Sequence, residues 1–352
     1  MVRIFILFII IYLTQPFSYG QLTNADVAPK LNDEAVEVEV VLELYKIFNI
    51  NSVDQTFEVD GYLICSWKDE RMKYTEDSIP YESLKYCNER FDNITTDQLW
   101  CPKFEFINTN EARTTSNRSI EIRPDGTIIY LERFNASLYQ QMDYNQFPFD
   151  HQHFVINMES FSDVERDVRF IVNKNNGSFR AVGKEGTIKC PSWTITNPRA
   201  EVVSVEGGFE TENSSNSYSR VKFIVDAERM SGFYIWQLLF PLAIIILASV
   251  VIFWIDDFGL AVEIGFTLML TVVAYNFYSG SFLPQLPYNT YIEVIIMLGY
   301  VFILLAIVAT VHNNYSGQKD DDKAKKHKLF YRYFYPITFL FSILVTTLYF
   351  YA

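Results

Sequence analysis

The 352-residue sequence predicts an extracellular all-β sandwich followed by an all-α transmembrane domain of four helices. Three observations support this prediction: a secretory signal at the N-terminus, alternating strand patterns up to about residue 230, and four long uncharged apolar runs after that point. Most of the charge lies before the apolar runs, so the composition changes once along the chain. We therefore expect two domains, at residues 21–232 and 233–352.

Residues 1–20 have the pattern of a signal peptide. Arg3 is followed by a short apolar run, IFILFIIIYL, and then by the small-x-small sequence Ser18-Tyr19-Gly20. A positive start, a short apolar core and a small-residue cleavage site are typical of secretory signals. The run is shorter than the ~20 residues that cross a bilayer, so the mature chain should begin near Gln21, outside the membrane.

Alternation of apolar and polar residues predicts strands throughout residues 21–232. The stretch VEVEV at 36–40 alternates strictly, and HFVINM at 153–158 places its apolar side chains on one face. Pro124-Asp125-Gly126 stands between two strand-like runs, which is a hairpin signal. Short strands at regular spacing with few helical patterns are typical of a β-sandwich.

The outer domain also has the chemistry of a secreted protein. Its cysteines lie where disulfides persist, and the sequence leaves all three pairings open. They form no close cluster, so we expect no zinc site. The cysteines are Cys65, Cys87, Cys101 and Cys190. Five Asn-x-Ser/Thr sequons predict a glycoprotein, at Asn93, Asn117, Asn135, Asn176 and Asn213.

Charge and motifs exclude several classes of function. The formal net charge of −13 argues against nucleic-acid binding and suits attraction of cations or basic ligands. The sequence contains no GxSxG, HExxH or P-loop motif and only four histidines, so we expect neither an enzyme nor a cofactor. His151 and His153 alternate on a predicted strand, where we expect a structural role in preference to metal binding.

The apolar runs predict four membrane helices, at about residues 233–255, 259–282, 289–312 and 330–351. The link at 313–329 is rich in lysine, whereas the link between the second and third runs is uncharged. Because basic residues favour the cytoplasmic side, the 313–329 link should be cytoplasmic, and the outer domain and C-terminus extracellular. The signal peptide requires the same orientation. We expect a multi-pass protein of the plasma membrane, in contact with membrane lipids.

A polar stripe distinguishes the second helix from an ordinary apolar span. Steps of three and four residues place six side chains on one helical face, namely Glu263, Thr267, Leu270, Ala274, Phe277 and Ser281. In one interpretation, the glutamate reaches the cytoplasmic headgroups and the hydroxyls bond their own helix. In the other, the face lines water, because ionisable residues inside membranes usually face the protein interior or a cavity. One helix cannot enclose water, but a ring of identical helices can.

Residues 140–154, QQMDYNQFPFDHQHF, resemble the signature loop of the pentameric ligand-gated ion channels, whose core is FPFD-x-Q. Animal members bracket this loop with two cysteines, but here Gln140 and Phe154 stand at those positions, and bacterial members also lack the bracket. AERMSGFYIWQLLFPLAIIILASVVIFW resembles the family's first membrane helix, with Pro241 at its usual proline. GFTLMLTVVAYNFY and LPQLPY are similar to the pore helix and following loop of the bacterial amine-gated type. The resemblance covers nearly all of residues 31–352.

The resemblance implies an agonist-gated ion channel in which this chain assembles with four further copies of itself. Each copy would contribute its stripe to a central pore. Leu270 would be the gate leucine, and Ala274 and Phe277 would extend an apolar constriction that blocks ions by dewetting. A ring of Glu263 side chains would select permeating cations. The alternative is a non-conducting receptor, or a subunit that works only in hetero-oligomers.

The resemblance further implies a site between subunits for a small amine agonist. Aromatic faces and carboxylates suit such a cation. One subunit would supply Phe161, Tyr218, Glu105 and Glu159, with Phe209 from a capping loop. The neighbouring subunit would supply Tyr62. Each aromatic side chain could instead belong to the core of the sandwich.

The resemblance also places the coupling of agonist binding to gating at the junction between the two domains. The residues implied are Asp54, Phe149, Asp150, Arg229, Pro284 and Pro287. We expect Arg229 to pair with a carboxylate such as Asp150. The chain departs from the family just after this arginine, where Ser231 stands in place of the usual proline.

Overall fold

The computed structural model describes residues 27–30, 32–75, 84–88, 92, 99–173, 177–181, 188–206 and 216–351. Within these residues, eleven strands precede four helices that are long and apolar enough to cross a membrane. The strands are β1 (Val36–Asn51), β2 (Thr56–Lys68), β3 (Leu84–Cys87), β4 (Phe104–Phe106), β5 (Thr114–Ile122), β6 (Thr127–Tyr139), β7 (His151–Ser160), β8 (Val168–Ile171), β9 (Phe179–Ala181), β10 (Trp193–Glu206) and β11 (Ser217–Arg229).

The strands form two sheets packed on one apolar core. A seven-stranded sheet has the order β3-β5-β6-β2-β1-β8, with β9 paired to β1, and a four-stranded sheet has the order β10-β11-β7-β4. The ring of Phe57 on β2 lies 4.9 Å from that of Phe154 on β7, which lies 5.4 Å from the ring of Trp193 on β10. The inner faces of the two sheets therefore meet, and the predicted β-sandwich is confirmed.

The alternation in the sequence becomes alternating burial in the strands. On β7, Phe154, Ile156 and Met158 are buried, and the residues between them are more exposed. Between β5 and β6 the chain reverses through a tight turn in which the amide of Gly126 donates to the carbonyl of Arg123 at 3.0 Å. Gly126 has a φ of 81°, which a residue with a side chain rarely adopts, so the turn requires glycine.

The four helices are α1 (Gly232–Trp254), α2 (Phe258–Ser279), α3 (Tyr291–Gly317) and α4 (Asp321–Tyr351). A π-helical turn lies within α1 at Ile235–Leu239. At the start of α2, the carboxylate of Asp257 accepts a hydrogen bond from the amide of Leu260 at 2.6 Å. Thr290 and Glu293 form a capping box at the start of α3. Both helices therefore begin at residues that satisfy their first free amides.

Two of these helices extend beyond the expected apolar spans. The third ends at Gly317 instead of about residue 312, and the fourth begins at Asp321 instead of about residue 330. Hydropathy marks only the part of a helix that crosses hydrocarbon, whereas backbone hydrogen bonding continues into polar residues. The expected link at 313–329 is therefore mostly helical, and residues 318–320 separate α3 from α4.

The cysteines and sequons of the outer domain differ in their exposure. None of the four cysteines, all of which are described, is disulfide-bonded. Cys65 is buried in the core, and burial raises the pKa of its thiol. Among the sequons, Asn117 is exposed on β5 and Asn135 is half-buried on β6. Asn93, Asn176 and Asn213, together with Phe209 and residues 1–20, lie outside the described residues.

Candidate functional site

Within the part of the chain that the structure describes, the stripe on α2 is left uncovered by the rest of the subunit. Leu270 is 69% exposed and Phe277 is 78% exposed, and the other stripe residues are also exposed. The opposite face of α2 is buried, through Gly265, Val272 and Tyr275. One face of the helix thus packs on its own subunit, and the face that carries the stripe remains available.

The hydroxyl groups of the stripe bond their own helix. The Thr267 hydroxyl donates to the carbonyl of Glu263 at 2.9 Å, and the Ser281 hydroxyl donates to the carbonyl of Tyr278 at 2.7 Å. This is the bonding expected in the first interpretation of the stripe. It does not cover the face, however, since a hydroxyl that donates its hydrogen still presents oxygen lone pairs outward. The stripe is therefore polar at both ends, and the hydroxyl donors of Thr267 and Ser281 are both satisfied.

The acidic residues at and near the start of α2 have different partners. Asp256 forms an ion pair with Lys328 at 2.6 Å, and this lysine lowers the pKa of the aspartate. Asp257 caps α2. Glu263 is exposed and has no side-chain partner among the described residues. Helix capping and ion pairing thus account for the two aspartates, whereas no described residue neutralises the Glu263 carboxylate.

The carboxylates predicted to bind an agonist lie side by side on the four-stranded sheet. Glu105 on β4 stands directly opposite Glu159 on β7. Arg220 on β11 pairs with Glu159 at 2.5 Å and neutralises it, which relieves the repulsion between two opposed carboxylates. Glu105 is exposed and has no partner among the described residues. Of the two carboxylates, only Glu105 is left to meet a cation.

A cavity of about 380 Å³ lies beside Glu105. Phe161 borders it and is 64% exposed, so this ring is not part of the sandwich core. Tyr218 precedes Arg220 on β11 by two residues, and Phe161 follows Glu159 at the end of β7 by two. In an antiparallel ladder with Arg220 opposite Glu159, these two aromatic residues lie at the same end of the strands.

The cavity also contains cationic groups that the sequence did not indicate. Lys103 and Arg113 both line it. The guanidinium of Arg113 lies 4.7 Å from the centre of the Phe104 ring and donates to Glu132 at 3.3 Å. The buried Glu132 also accepts from the hydroxyl of Tyr130 at 2.5 Å. Arg113 stands alone in a turn-like stretch, NEARTT, so no spacing or periodicity pointed to it.

Tyr62 lies away from this cavity, on β2 in the seven-stranded sheet. Its ring contacts that of Tyr45 at 5.7 Å, and the guanidinium of Arg133 lies 6.0 Å from its centre. The structure therefore places Tyr62 on one sheet and Glu105, Glu159 and Tyr218 on the other. A single subunit does not bring them together.

The junction between the domains is built around Arg229. Its guanidinium is buried, and it pairs with both oxygens of Asp150, at 2.6 and 3.0 Å. It also donates to Ser52 at 3.3 Å and to Tyr234 at 3.2 Å, and it lies 4.2 Å from the centre of the Trp193 ring. The pairing of Arg229 with Asp150 that the sequence suggested is present. Through it, β11, the signature loop, the turn after β1 and the start of α1 meet at one cation.

The signature loop also contacts the membrane domain directly. The amide of Tyr144 donates to the hydroxyl oxygen of Tyr288 at 3.0 Å, and the amide of Tyr291 donates to the carbonyl of Asn145 at 2.9 Å. The Phe149 ring lies 6.3 Å from the ring of Tyr291 and 6.5 Å from that of Tyr351 at the end of α4. The loop thus touches both the link between α2 and α3 and the outer end of α4.

The remaining coupling candidates are more peripheral. Asp54 is exposed in the turn between β1 and β2, where its carboxylate accepts from the side chain of Asn51 at 2.7 Å. Pro284 is half-buried and Pro287 is exposed, both in the link between α2 and α3. Sequence reasoning missed the tyrosines at 144, 288 and 291, which make the contacts across the junction. The YNQ of the signature loop and the PYNTY of the link were the available signals.

Comparisons with known proteins agree with this architecture. The profile of the family described as "Neurotransmitter-gated ion-channel ligand binding domain" matches residues 19–231. The chain is 30% identical over 293 residues to the gamma-aminobutyric acid receptor subunit beta-4 of Gallus gallus. This match covers 82% of the chain and 57% of the relative, so the chain spans little more than half of that relative's length.

A bacterial relative matches over more of its own length. The chain is 25% identical over 325 residues to the proton-gated ion channel of Gloeobacter violaceus, and the match covers 92% of the chain and 86% of the relative. The membrane helices are therefore included in the likeness. With a β-sandwich that matches the ligand-binding profile and four apolar helices behind it, the chain belongs to the pentameric ligand-gated ion channels, the Cys-loop receptor superfamily, which are channels and not enzymes.

Proposed function

We propose that this chain forms a cation-selective, agonist-gated channel in the plasma membrane from five copies of itself. The main support is the uncovered stripe of α2, with unpaired Glu263 at one end and exposed Leu270 and Phe277 further along. An intramembrane carboxylate on a face that its own subunit leaves open is expected to meet water or a partner subunit. Around a pore, that face becomes the wall of the ion path.

The stripe divides the proposed pore into a filter and a gate. Leu270 and Phe277 are seven residues apart, about 10 Å along a helix. The five copies of each residue around the pore would therefore form an extended apolar constriction. Such a constriction stops ions by dewetting when it is narrow. The Glu263 carboxylates would attract cations at the cytoplasmic mouth, because their charge is not neutralised within the subunit.

The gate is tested by Leu270→Ser in oocytes. A ring of hydroxyls wets the constriction, so we expect a leak current at least about tenfold above the wild type, equivalent to a bias of about 1.4 kcal/mol toward conduction. Replacing external sodium with a large organic cation should shift the reversal potential, and replacing chloride with gluconate should not. A leak that follows chloride would overturn cation selectivity. Surface protein without a leak would favour a non-conducting receptor.

The filter is tested by adding Glu263→Gln to the leaky variant. The amide has the size of the carboxylate but no charge, so the reversal potential should lose much of its dependence on sodium. Asp256→Asn is the matched control, because this aspartate is also at the inner mouth but is already paired with Lys328. Equal effects of the two substitutions would contradict the assignment of the filter to Glu263.

We further propose that a small amine binds at the cavity beside Glu105, between this subunit and the Tyr62 face of a neighbour. Glu105 supports this because it is the unpaired carboxylate of the opposed pair, and the exposed Phe161 ring offers a face for a cation. Lys103 and Arg113 border the same cavity. An amine that also carries a carboxylate would suit this mixture of charges, and the name of the Gallus gallus relative specifies such a molecule, gamma-aminobutyric acid.

Substitutions of Glu105 and Arg113, which both line the cavity, distinguish simple amines from amino acids as agonists. Glu105→Gln should raise the half-maximal concentration of any amine agonist about tenfold or more, since a charged hydrogen bond contributes about 1.5–3 kcal/mol. Arg113→Gln should raise the half-maximal concentration of amino-acid agonists and leave that of simple amines unchanged. Concentration–response curves for primary amines and for gamma-aminobutyric acid provide the measurement, with the exposed Glu37→Gln as control. Unchanged concentration–response curves for Glu105→Gln would contradict the proposal that the amine binds in this cavity.

A further inference from the structure

Two histidines stand together on the outer face of the four-stranded sheet, away from the agonist cavity. His151 and His153 are both exposed, and they are two residues apart on β7. Alternate residues of a strand point to the same side, and the rise of about 3.4 Å per residue separates their Cα atoms by about 7 Å. β7 is paired to β11 along this stretch, so the backbone that presents the two rings is held by a ladder of hydrogen bonds.

Each histidine faces a carboxylate across the ladder. Asp226 on β11 stands opposite His153, and Glu228 stands opposite His151. The Nδ1 atom of His153 lies 2.7 Å from a carboxylate oxygen of Asp226, so this nitrogen donates its hydrogen, and in the neutral tautomer with the hydrogen on Nδ1 the lone pair of Nε2 is available to a metal. The ring of His151 has no hydrogen-bond or ion-pair partner among the described residues. Glu228 is also exposed.

A network of donors holds the Asp226 carboxylate in place. Arg199 donates to it at 2.8 Å, and Asn197 donates to its other oxygen at 2.8 Å. These contacts fix the orientation of the Asp226 carboxylate that meets His153. A histidine oriented by a carboxylate through one ring nitrogen, with the other nitrogen free, is the usual arrangement of a metal-binding imidazole.

We propose that His151 and His153 bind one extracellular transition-metal ion of the zinc or copper class per subunit, with Asp226 as the residue that positions His153. Imidazole nitrogens bind zinc at about 2.0–2.1 Å. The described residues contain no group of three or more histidine, cysteine, aspartate or glutamate side chains placed around one metal. The proposed site is therefore a two-imidazole site, with its other positions open to water.

The local charge suits a bound cation. The Arg199 guanidinium would repel the metal cation. Its charge is offset by two carboxylates, because Arg199 pairs with Asp226 and lies 3.6 Å from Glu201. An exposed ion pair between His153 and Asp226 would by itself contribute little to stability. A surface salt bridge also gives no reason for a second exposed histidine on the same face. Metal binding accounts for both histidines and for the orientation of one of them.

The site lies next to the junction. His151 follows Asp150, and Glu228 precedes Arg229, so the metal site and the buried ion pair occupy adjacent positions on the same two strands. A metal bound to His151 and His153 would restrain the start of β7, next to the buried ion pair. Because the metal binds the folded chain, it should also raise the temperature of unfolding.

The test measures metal binding to the purified full-length channel after removal of any polyhistidine tag. The chain has four histidines, so His312→Ala and His327→Ala together leave His151 and His153 as the only imidazoles. In that background we expect calorimetry to show one Zn²⁺ per subunit. His151→Ala or His153→Ala should reduce the affinity at least about tenfold, and Asp226→Asn should do so by about 10–100-fold.

Arg199→Gln is the control for the positioning residue. It disturbs the same network but removes an opposing charge, so it should leave zinc affinity unchanged or higher. A rise in the unfolding temperature with Zn²⁺ that disappears in the two histidine variants would support the site independently. The proposal is overturned if the starting channel binds no zinc, or if the double His151→Ala, His153→Ala variant binds it as before. Both positions are exposed, so the variants should fold.

Discussion

At the scale of single residues, Arg229 is a cation held in a buried environment. Its guanidinium is 3% exposed, and its partner Asp150 is 2% exposed. Removing one member of a buried ion pair leaves the other charge without compensation, which costs about 3–5 kcal/mol. The pairing itself was predictable, because the resemblance supplied the FPFD aspartate and the arginine before the first helix. The aromatic rings around it were not, since Trp193 is 36 positions away in the sequence.

We expect Asp150→Asn to lower the apparent unfolding temperature and the amount of protein at the cell surface. The unpaired guanidinium remains in a buried site, where its desolvation is no longer offset. Arg133→Gln is the control, because it breaks a pair with Asp60 at 3.5 Å in which the arginine is 45% exposed, and such pairs contribute about 0–1 kcal/mol. Surface biotinylation and thermal unfolding of the purified protein measure both effects.

A double substitution separates charge from packing at the same site. Asp150→Leu combined with Arg229→Met replaces the buried pair by apolar side chains, which often restores stability lost on breaking such a pair. If the double variant recovers its unfolding temperature but fails to respond to agonist, the pair serves coupling. If Asp150→Asn is as stable as the Arg133→Gln control, the buried pair does not stabilise the junction.

At the scale of elements, the packing of α2 on α3 depends on one glycine. A Cβ atom built on Gly265 would lie 2.6 Å from Cγ1 of Ile307, closer than two carbons can approach. The helices therefore approach each other at a position where only glycine fits. This contact fixes the rotation of α2, and with it the direction in which the stripe faces.

We expect Gly265→Ala to destabilise the membrane domain by about 1–3 kcal/mol, the usual cost of overpacking a core. Adding Ile307→Ala removes the clashing atoms and should recover part of the loss. Gly280→Ala is the matched control, because its Cβ would meet nothing within 4 Å. Thermal unfolding in detergent compares the three variants. Equal effects at the two glycines would show that helix propensity, and not close packing, decides the outcome.

The elements differ in how far the sequence could predict them. The long strands were predictable because alternation persists over many residues, as in VEVEV of β1. β4 and β9 have three residues each, too few for a period to appear. The last turns of α3 and the first turns of α4 were missed for a different reason, since these turns are polar and hydropathy identifies only apolar helix.

At the scale of the whole molecule, the order of strands in the sheets separates the predicted agonist residues. Tyr62 lies in the seven-stranded sheet, and Glu105 lies at the edge of the four-stranded sheet on β4. The strand orders do not follow the sequence, so no local pattern could assign residues to sheets. The division of these residues between two subunits was predicted from the resemblance. Arg113 lies outside every motif, so only the folded structure showed that it lines the cavity.

The uncovered stripe has a consequence for how such a protein is made. A lone subunit presents Glu263 together with the apolar side chains of Leu270 and Phe277 on one face. Lipid is a poor solvent for the carboxylate, and water is a poor solvent for the leucine and phenylalanine. A newly synthesised subunit therefore has no satisfactory surroundings until it meets its partners. We therefore expect a lone subunit to be less stable in the membrane than one whose α2 face is covered by partner subunits.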